Sequence, residues 1–218
     1  SNNKLMQNSS ILKNELIFEY AAGTTSIAKS IMASTYLYLN SKESPLYNEF
    51  ESYCGEELKN TKDIKPTTLK AEDCIVEIND NKKTKNIKNA NPLDKFVNIY
   101  SDINWKKIFK GFYEYTLGLP NNEKAKIIKM DPGSKVPLHS HNGKEYILVL
   151  EGSFNDEYGS YSKGDLQIND SRIKHTPIAS KTEGCICLTI TEEELVFYGP
   201  FAPILNLITV LKSFFSNR

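Results

Sequence analysis

The chain has 218 residues, of which 25% are charged and 39% belong to the apolar and aromatic set. This length allows one large domain or two small ones, and the composition is that of a globular protein, which excludes wholesale disorder. Lys plus Arg and Asp plus Glu number 27 each, and the two signs stay balanced on both sides of residue 90. Because no region is basic, direct binding to nucleic acid or to an anionic membrane has no electrostatic support.

The first third of the chain has the apolar periodicity of helices. A first helix is indicated by a one-sided stripe of Leu16, Ile17, Tyr20 and Ala21. Gly23 predicts its end, and Thr24 or Thr25 can cap a second helix. The apolar face of this second helix comprises Ile27, Ala28, Ile31, Thr35 and Leu39. Ser44-Pro45 predicts the start of a third helix, with one face formed by Leu46, Phe50, Tyr53 and Cys54.

The pattern changes near residue 80. A weaker fourth helix is predicted over residues 68–78, and residues 79–86 that follow include no apolar residue and no period, which is typical of a linker. From Asn91 onward short β-branched runs alternate with glycine turns, and the clearest runs are 126–130, 145–150 and 185–190. The chain is therefore predicted to be α+β, with an all-α helical domain at 1–79, a linker at 80–90 and an all-β barrel at 91–218.

The four cysteines are too few for a disulfide scaffold and include no CxxC spacing. Cys185 and Cys187 lie on one predicted strand, so they should face the same side; packing is favoured over oxidant sensing for them.

No signal-peptide pattern is present, and Gly199, Pro200 and Pro203 interrupt the uncharged stretch 195–211. We therefore expect a reducing, cytoplasmic location, and a final strand with a C-terminal helix in place of a membrane span.

Histidine provides the main chemical signal, because the chain has three His residues and two of them are His139 and His141. Side chains two apart on a strand point the same way, so both imidazoles can face one point inside a barrel. Glu145 follows at the start of the next predicted strand, and His175 lies between two later strands. Three imidazoles and one carboxylate form a ligand set for a divalent transition metal; neutral imidazole suits zinc, iron, nickel or copper, and the carboxylate leaves manganese open.

The spacing of Gly133, His139, His141, Glu145 and Gly152 resembles the first motif of the cupin superfamily. The second cupin motif is partly present, with Gly164 and His175 but without the expected Pro-x-Gly and Asn. The surrounding residues resemble the ChrR-type anti-sigma factors, in which a helical anti-sigma domain precedes a cupin domain. The stretches that carry this resemblance are 20–23, 91–93, 131–145, 149–154, 156–159, 164–165, 175–177 and 184–188.

The resemblance implies a function and a fold. The helical domain would bind an extracytoplasmic-function sigma factor and keep it from RNA polymerase. The cupin domain would be a jelly-roll barrel that holds zinc through His139, His141, Glu145 and His175 and takes part in releasing the sigma factor under an oxidative-type stress. At the family's N-terminal His-x3-Cys-x2-Cys positions this chain has Thr35, Leu39 and Lys42, so no N-terminal zinc is expected.

Two further hypotheses come from other classes. A metal-dependent cupin enzyme, an oxygenase or a hydrolase, is the first, although four protein ligands leave no open position on a tetrahedral metal. Asp156 and Glu157 are predicted at a hairpin tip, so no candidate base stands out beyond Glu145. The second is a stress sensor without a sigma factor partner. The sequence favours a regulatory metal-binding barrel over an enzyme and leaves a homodimer open.

Overall fold

Three helices precede an antiparallel β structure in the computed structural model, which describes residues 2–60, 91–99, 101, 103–120, 123–193, 195–200, 202–204 and 206–207. The helices are α1 (Asn2–Ala21), α2 (Ile27–Leu39) and α3 (Ser44–Asn60), with short 3-10 turns at Ser41–Glu43 and Pro92–Lys95. The strands are β1 (Lys106–Phe109), β2 (Phe112–Thr116), β3 (Ala125–Met130), β4 (His139–His141), β5 (Glu145–Asn155), β6 (Ser160–Ser162), β7 (Leu166–Asn169), β8 (Ile178–Ala179), β9 (Cys185–Thr191) and β10 (Leu195–Phe197). The predicted α+β class is confirmed, whereas the predicted fourth helix at 68–78 and the linker at 80–90 lie outside the described residues.

All strand pairs are antiparallel. The larger sheet has the order β1-β2-β3-β9-β5-β6, with β7 and β8 also paired to β5, and β10 pairs with β4. The predicted runs 126–130, 145–150 and 185–190 lie in β3, β5 and β9, which are neighbours at the centre of the sheet. The predicted final strand is β10, and helical residues follow at 202–204 and 206–207.

The helix ends follow local side-chain chemistry, with one correction. Gly23 has a φ of 69°, which is the left-handed conformation expected just after a helix. The cap of α2 is Ser26, whose hydroxyl accepts a hydrogen bond from the Lys29 backbone N–H. The prediction of Thr24 or Thr25 as the cap is wrong because their hydroxyls bond elsewhere: Thr24 donates to the carbonyl of Glu19, and Thr25 pairs with the hydroxyl of Ser30.

Gly152, part of the motif noted in the sequence, lies where β5 bends. Its φ is 68°, and the register of β5 against β9 shifts between Val149 and Glu151. A Cβ at Gly152 would overlap the backbone carbonyl of Gly184, so no other residue fits there without moving the neighbouring turn.

The central strands separate two apolar clusters. On β5, Tyr146 and Leu148 belong to a cluster that includes residues of the helices, whereas Ile147 and Val149 belong to a second cluster with Cys185 and Cys187. Because successive strand side chains alternate between faces, one side of the sheet packs against the helices and the other lines the barrel interior. The helical segment therefore forms a layer on the outer face of the barrel.

Buried side chains of α1 and α2 make up the helical side of the first cluster: Leu16, Ile17, Ala28, Ile31, Met32, Ala33 and Tyr36. Leu46 and Phe50 of α3 pack against this cluster from a partly buried position. Tyr53 is 58% exposed, so it does not share the packed face that the sequence predicts for α3. The helices and the sheet share one apolar core.

Polar contacts fix α2 on the barrel at both ends. The Glu123 carboxylate accepts hydrogen bonds from the backbone N–H groups of Ile27 (3.2 Å) and Ala28 (2.6 Å), and it satisfies free donors at the helix N-terminus. At the other end, Nδ2 of Asn40 donates to the backbone carbonyl of Gly164 at 2.8 Å. Both contacts join residues more than 90 positions apart in the sequence.

We expect Met32→Ala to lower the free energy of unfolding by about 2–5 kcal/mol, because the fully buried Met32 side chain leaves a cavity between α2 and the sheet. Tyr38→Ala, at a side chain that is 46% exposed, is the control and should change it by less than about 1 kcal/mol. Denaturant unfolding monitored by circular dichroism measures both. A helical transition separate from that of the barrel would contradict a shared core.

Candidate metal site

The four residues singled out in the sequence meet inside the barrel. His139 and His141 lie on β4, and Glu145 is the first residue of β5. His175 is aligned by a two-way backbone pair with His139, whose N–H to carbonyl distances are 3.1 and 3.0 Å. One ligand atom from each of the four side chains lies within 4.8 Å of all the others. The structure therefore brings together residues that are up to 36 positions apart.

Nitrogen and oxygen atoms converge closely at the centre of this cluster. The Nε2 atoms of His139 and His175 are 3.1 Å apart. Oε2 of Glu145 lies 2.9 Å from Nε2 of His141 and 3.3 Å from Nε2 of His175. None of the four residues is more than 6% exposed, so the cluster is shielded from bulk water.

Hydrogen bonds on the outer side of two rings determine which nitrogen faces the centre. Nδ1 of His139 donates to the carbonyl of Pro137 at 2.9 Å, since a carbonyl can only accept. Nδ1 of His175 lies 3.0 Å from Oδ2 of Asp156. Both bonds direct the Nε2 lone pair toward the cluster, which is how outer partners orient metal-binding imidazoles.

Asp156 is the residue that the sequence did not identify as part of the site. Its side chain is fully buried, and besides His175 it accepts hydrogen bonds from Nε2 of Gln167 (2.7 Å) and from the backbone N–H groups of Tyr158 (2.8 Å) and Gly159 (3.0 Å). The prediction of a hairpin tip accounts for the two backbone bonds. Only the folded chain places the remaining carboxylate oxygen against a histidine 19 positions away.

The cluster shifts the pKa values of its members in different directions. Burial opposes ionisation of Glu145, but the nearby imidazoles of His141 and His175 lower the pKa of its carboxyl well below the ordinary value. Burial of the ring lowers the pKa of His139 to about 4. For His175, burial acts in the same direction, yet the hydrogen bonds with Asp156 and Glu145 raise its pKa to about 9. An ionised Glu145 and a neutral His139 are the forms that bind a metal, whereas His175 would release a proton on binding one.

His141 tests whether the cluster suits a cation. Both of its ring nitrogens are buried, and neither has a hydrogen bond of acceptable geometry, although Nε2 is close to Glu145. A buried polar atom without a partner is costly, and a cation at the centre would use this lone pair. With three imidazole nitrogens and one carboxylate oxygen, the donor set fits a divalent transition metal such as zinc.

The two thiols of β9 lie in the barrel interior, on one face as predicted. Their sulfur atoms are 3.3 Å apart, and both side chains belong to the interior apolar cluster. The hydrogen bond with Cys185, together with burial, raises the pKa of Cys187 well above its ordinary value. A buried, protonated thiol is a poor nucleophile, which agrees with the packing role favoured by the sequence.

Comparison with known proteins identifies the barrel. Residues 94–193 match the family model described as the ChrR cupin-like domain. This segment includes the strands from β1 to β9. The match includes all four residues of the cluster and confirms the expected cupin fold of the barrel.

Similarity extends beyond the ChrR cupin-like domain into the helices. The chain is 26% identical over 193 residues to the anti-sigma-E factor ChrR of Cereibacter sphaeroides, covering 85% of this chain and 91% of that protein. It also resembles a chain in the crystal structure of Rhodobacter sphaeroides SigE in complex with the anti-sigma ChrR. That match has a TM-score of 0.66 and 27% identity, and it covers 82% of this chain and 96% of the other. The resemblance to ChrR-type anti-sigma factors is thus confirmed.

Within the residues that the structure describes, no helix has both the length and the apolar character needed to cross a membrane.

We expect Asp156→Ala to weaken binding of Zn(II) about 10–100-fold, because His175 loses the partner that orients its ring. Asp170→Ala removes a carboxylate that pairs with exposed Arg172 and is the matched control. Competition with a chromophoric chelator gives both affinities. Equal affinities for the two variants would show that Asp156 does not orient the ligand.

Proposed function

We propose that this chain is an anti-sigma factor of the ChrR type, which binds an extracytoplasmic-function sigma factor through its helical layer and holds zinc in its cupin barrel. The observation that carries the proposal is the similarity to the chain found in complex with SigE, because it covers both parts of the protein at a TM-score of 0.66. A cupin barrel alone would not distinguish a regulator from an enzyme, since one fold supports many functions.

The accessible faces of α1 and α3 are the proposed sigma-factor surface. Most of α2 is unavailable, because six of its residues are buried between the other helices and the sheet. Large apolar side chains are exposed instead on α1, at Ile11 (64%) and Phe18 (40%), and on α3, at Tyr53 (58%). Phe18 also packs edge-on against Phe50 of α3, which links the two helices beneath this surface.

The helical layer has an alternative to the N-terminal zinc of the family. Thr35 is fully buried, Leu39 packs against the core, and Lys42 is exposed, so these three positions supply no thiolate or imidazole ligand. The packing of α1 and α2 on the sheet supplies stability that a small helical domain of this kind needs. We infer that the barrel takes over the stabilising role of that metal.

Zinc is the metal proposed for the barrel. When bound, it would hold three imidazoles and one carboxylate together as a closed, redox-inactive centre. His139 and His175 are oriented for this by Pro137 and Asp156, and the cluster is screened from solvent. A closed, buried centre suits a structural or regulatory role, and the barrel would take part in releasing the sigma factor under an oxidative-type stress. The alternative of a cupin enzyme stays a prediction, which a turnover screen on the metal-loaded protein tests.

We expect the purified chain to form a complex with an extracytoplasmic-function sigma factor encoded in the same genome and to inhibit transcription by the corresponding holoenzyme. Ile11→Asp and Tyr53→Asp should each weaken the complex about 10-fold or more, because a charge replaces an exposed apolar contact. Ile178→Asp, at a barrel residue that is 41% exposed, is the control. Calorimetry and run-off transcription measure these effects. Absence of a complex with every such sigma factor of that genome would refute the proposal.

We expect the double variant His139→Ala with His141→Ala to lose zinc, because two of the four ligands vanish from one strand. Metal content after dialysis, measured by plasma mass spectrometry, should fall from a single ion per chain to background. Ser140→Ala, between the two histidines on β4, should retain the ion. Undiminished zinc in the double variant would show that the metal is bound elsewhere.

A further inference from the structure

The proposed metal ligand Glu145 lies between two residues that contact the helical layer. Glu145 belongs to the buried cluster in the barrel, whereas Tyr146 belongs to the apolar cluster that includes α1 and α2. Lys144, on the other side, reaches Glu15 of α1 with an Nζ to Oε2 distance of 3.3 Å. Because adjacent strand residues share one backbone, a displacement of Glu145 also displaces both neighbours.

The carboxylate of Glu192 joins this strand start to α2. Its Oε2 accepts a hydrogen bond from the backbone N–H of Lys144 at 3.0 Å, and its Oε1 accepts one from Nζ of Lys29 at 2.9 Å. The backbone N–H of Glu192 in turn donates to the carbonyl of Lys144 at 3.0 Å. Glu192 is therefore bonded on one side to the residue before Glu145 and on the other side to a helix.

Lys29 adds a second contact at the same place. Its ammonium lies 5.2 Å from the ring centroid of Tyr146, the residue after Glu145. The side chains of Lys29 and Glu192 are only 23% and 35% exposed, so solvent screens their ion pair less than it screens a fully exposed one. One side chain of α2 thus interacts, directly or through Glu192, with both neighbours of the ligand.

We propose that Lys29 and Glu192 couple metal binding at Glu145 to the docking of α1 and α2 on the sheet. This inference rests on the proposed metal site, and it adds the contacts through which metal binding would affect the sigma-factor surface. The two states are helices packed tightly on the sheet and helices packed on it more loosely. Since coupling is reciprocal, docked helices strengthen metal binding, and bound metal strengthens docking by the same factor. Loss of the metal would then loosen the layer that carries the exposed faces of α1 and α3.

The first test measures the affinity of the full chain for Zn(II) by competition with a chelator. Lys29→Met and Glu192→Gln should each weaken binding about 5-fold or more, the lower end of ordinary coupling between sites. The double variant should match Glu192→Gln, because both changes interrupt the same route. Lys29→Arg retains the positive charge and should bind Zn(II) with nearly the affinity of the unaltered chain.

Lys13 offers a matched control. It makes the same two kinds of contact within the helical layer, an ion pair with Glu43 at 3.9 Å and an approach to the ring of Tyr36 at 5.7 Å. Neither contact involves a neighbour of Glu145. Lys13→Met should therefore leave the affinity for Zn(II) within about twofold of the unaltered chain. This control separates an effect of the Lys29 and Glu192 contacts from the effect of removing any positive charge from the helices.

The second test is hydrogen exchange of the α2 amides at saturating Zn(II). Binding should slow exchange in the unaltered chain about 5-fold or more, and this slowing should be lost in Glu192→Gln, although the metal is bound. If the unaltered chain binds Zn(II) but Lys29→Met and Glu192→Gln bind equally well and keep the slowing, the coupling is wrong and the metal site stands. If the unaltered chain binds no Zn(II), the metal site fails and the coupling fails with it.

Discussion

The alternation of side chains along β5 is the constraint on which both parts of this protein depend. Glu145 and Ile147 face the barrel interior, and Tyr146 and Leu148 face the helices. One strand therefore contributes side chains to two layers. It can do so because both of its faces carry apolar residues, with the charged Glu145 on the interior face. The helical segment therefore shares an apolar core with the outer face of the barrel sheet.

Every charge in the buried cluster has a partner. Two carboxylates, Glu145 and Asp156, lie against three imidazoles, and backbone N–H groups satisfy the second oxygen of Asp156. Such an arrangement costs free energy when any member is removed, since the partner left behind is a buried, uncompensated charge. The side chains of the cluster therefore depend on one another for their charge balance.

The helical layer differs from the family pattern at the positions of the N-terminal zinc motif, yet the similarity to the SigE-bound chain covers 82% of this protein. Packing explains how both facts hold together. Glu123 and Asn40 attach the two ends of α2 to the barrel, and Met32 and Ile31 fill the space between them. A small domain does not need a metal for stability when a neighbouring sheet buries its apolar surface.

Periodicity and motif spacing are local, so the amino-acid order predicted the fold class and the cluster of candidate metal ligands: His139 and His141 lie two apart on one strand, and Glu145 starts the next. It predicted the central strands for the same reason. Three features are visible only in the folded chain: Asp156 as a partner of His175, Ser26 as the cap of α2, and the contacts from Lys29 through Glu192. The Ser26 cap depends on which of three neighbouring hydroxyls reaches the helix N-terminus, whereas the other two features join residues 19 and 163 positions apart, which no local pattern relates.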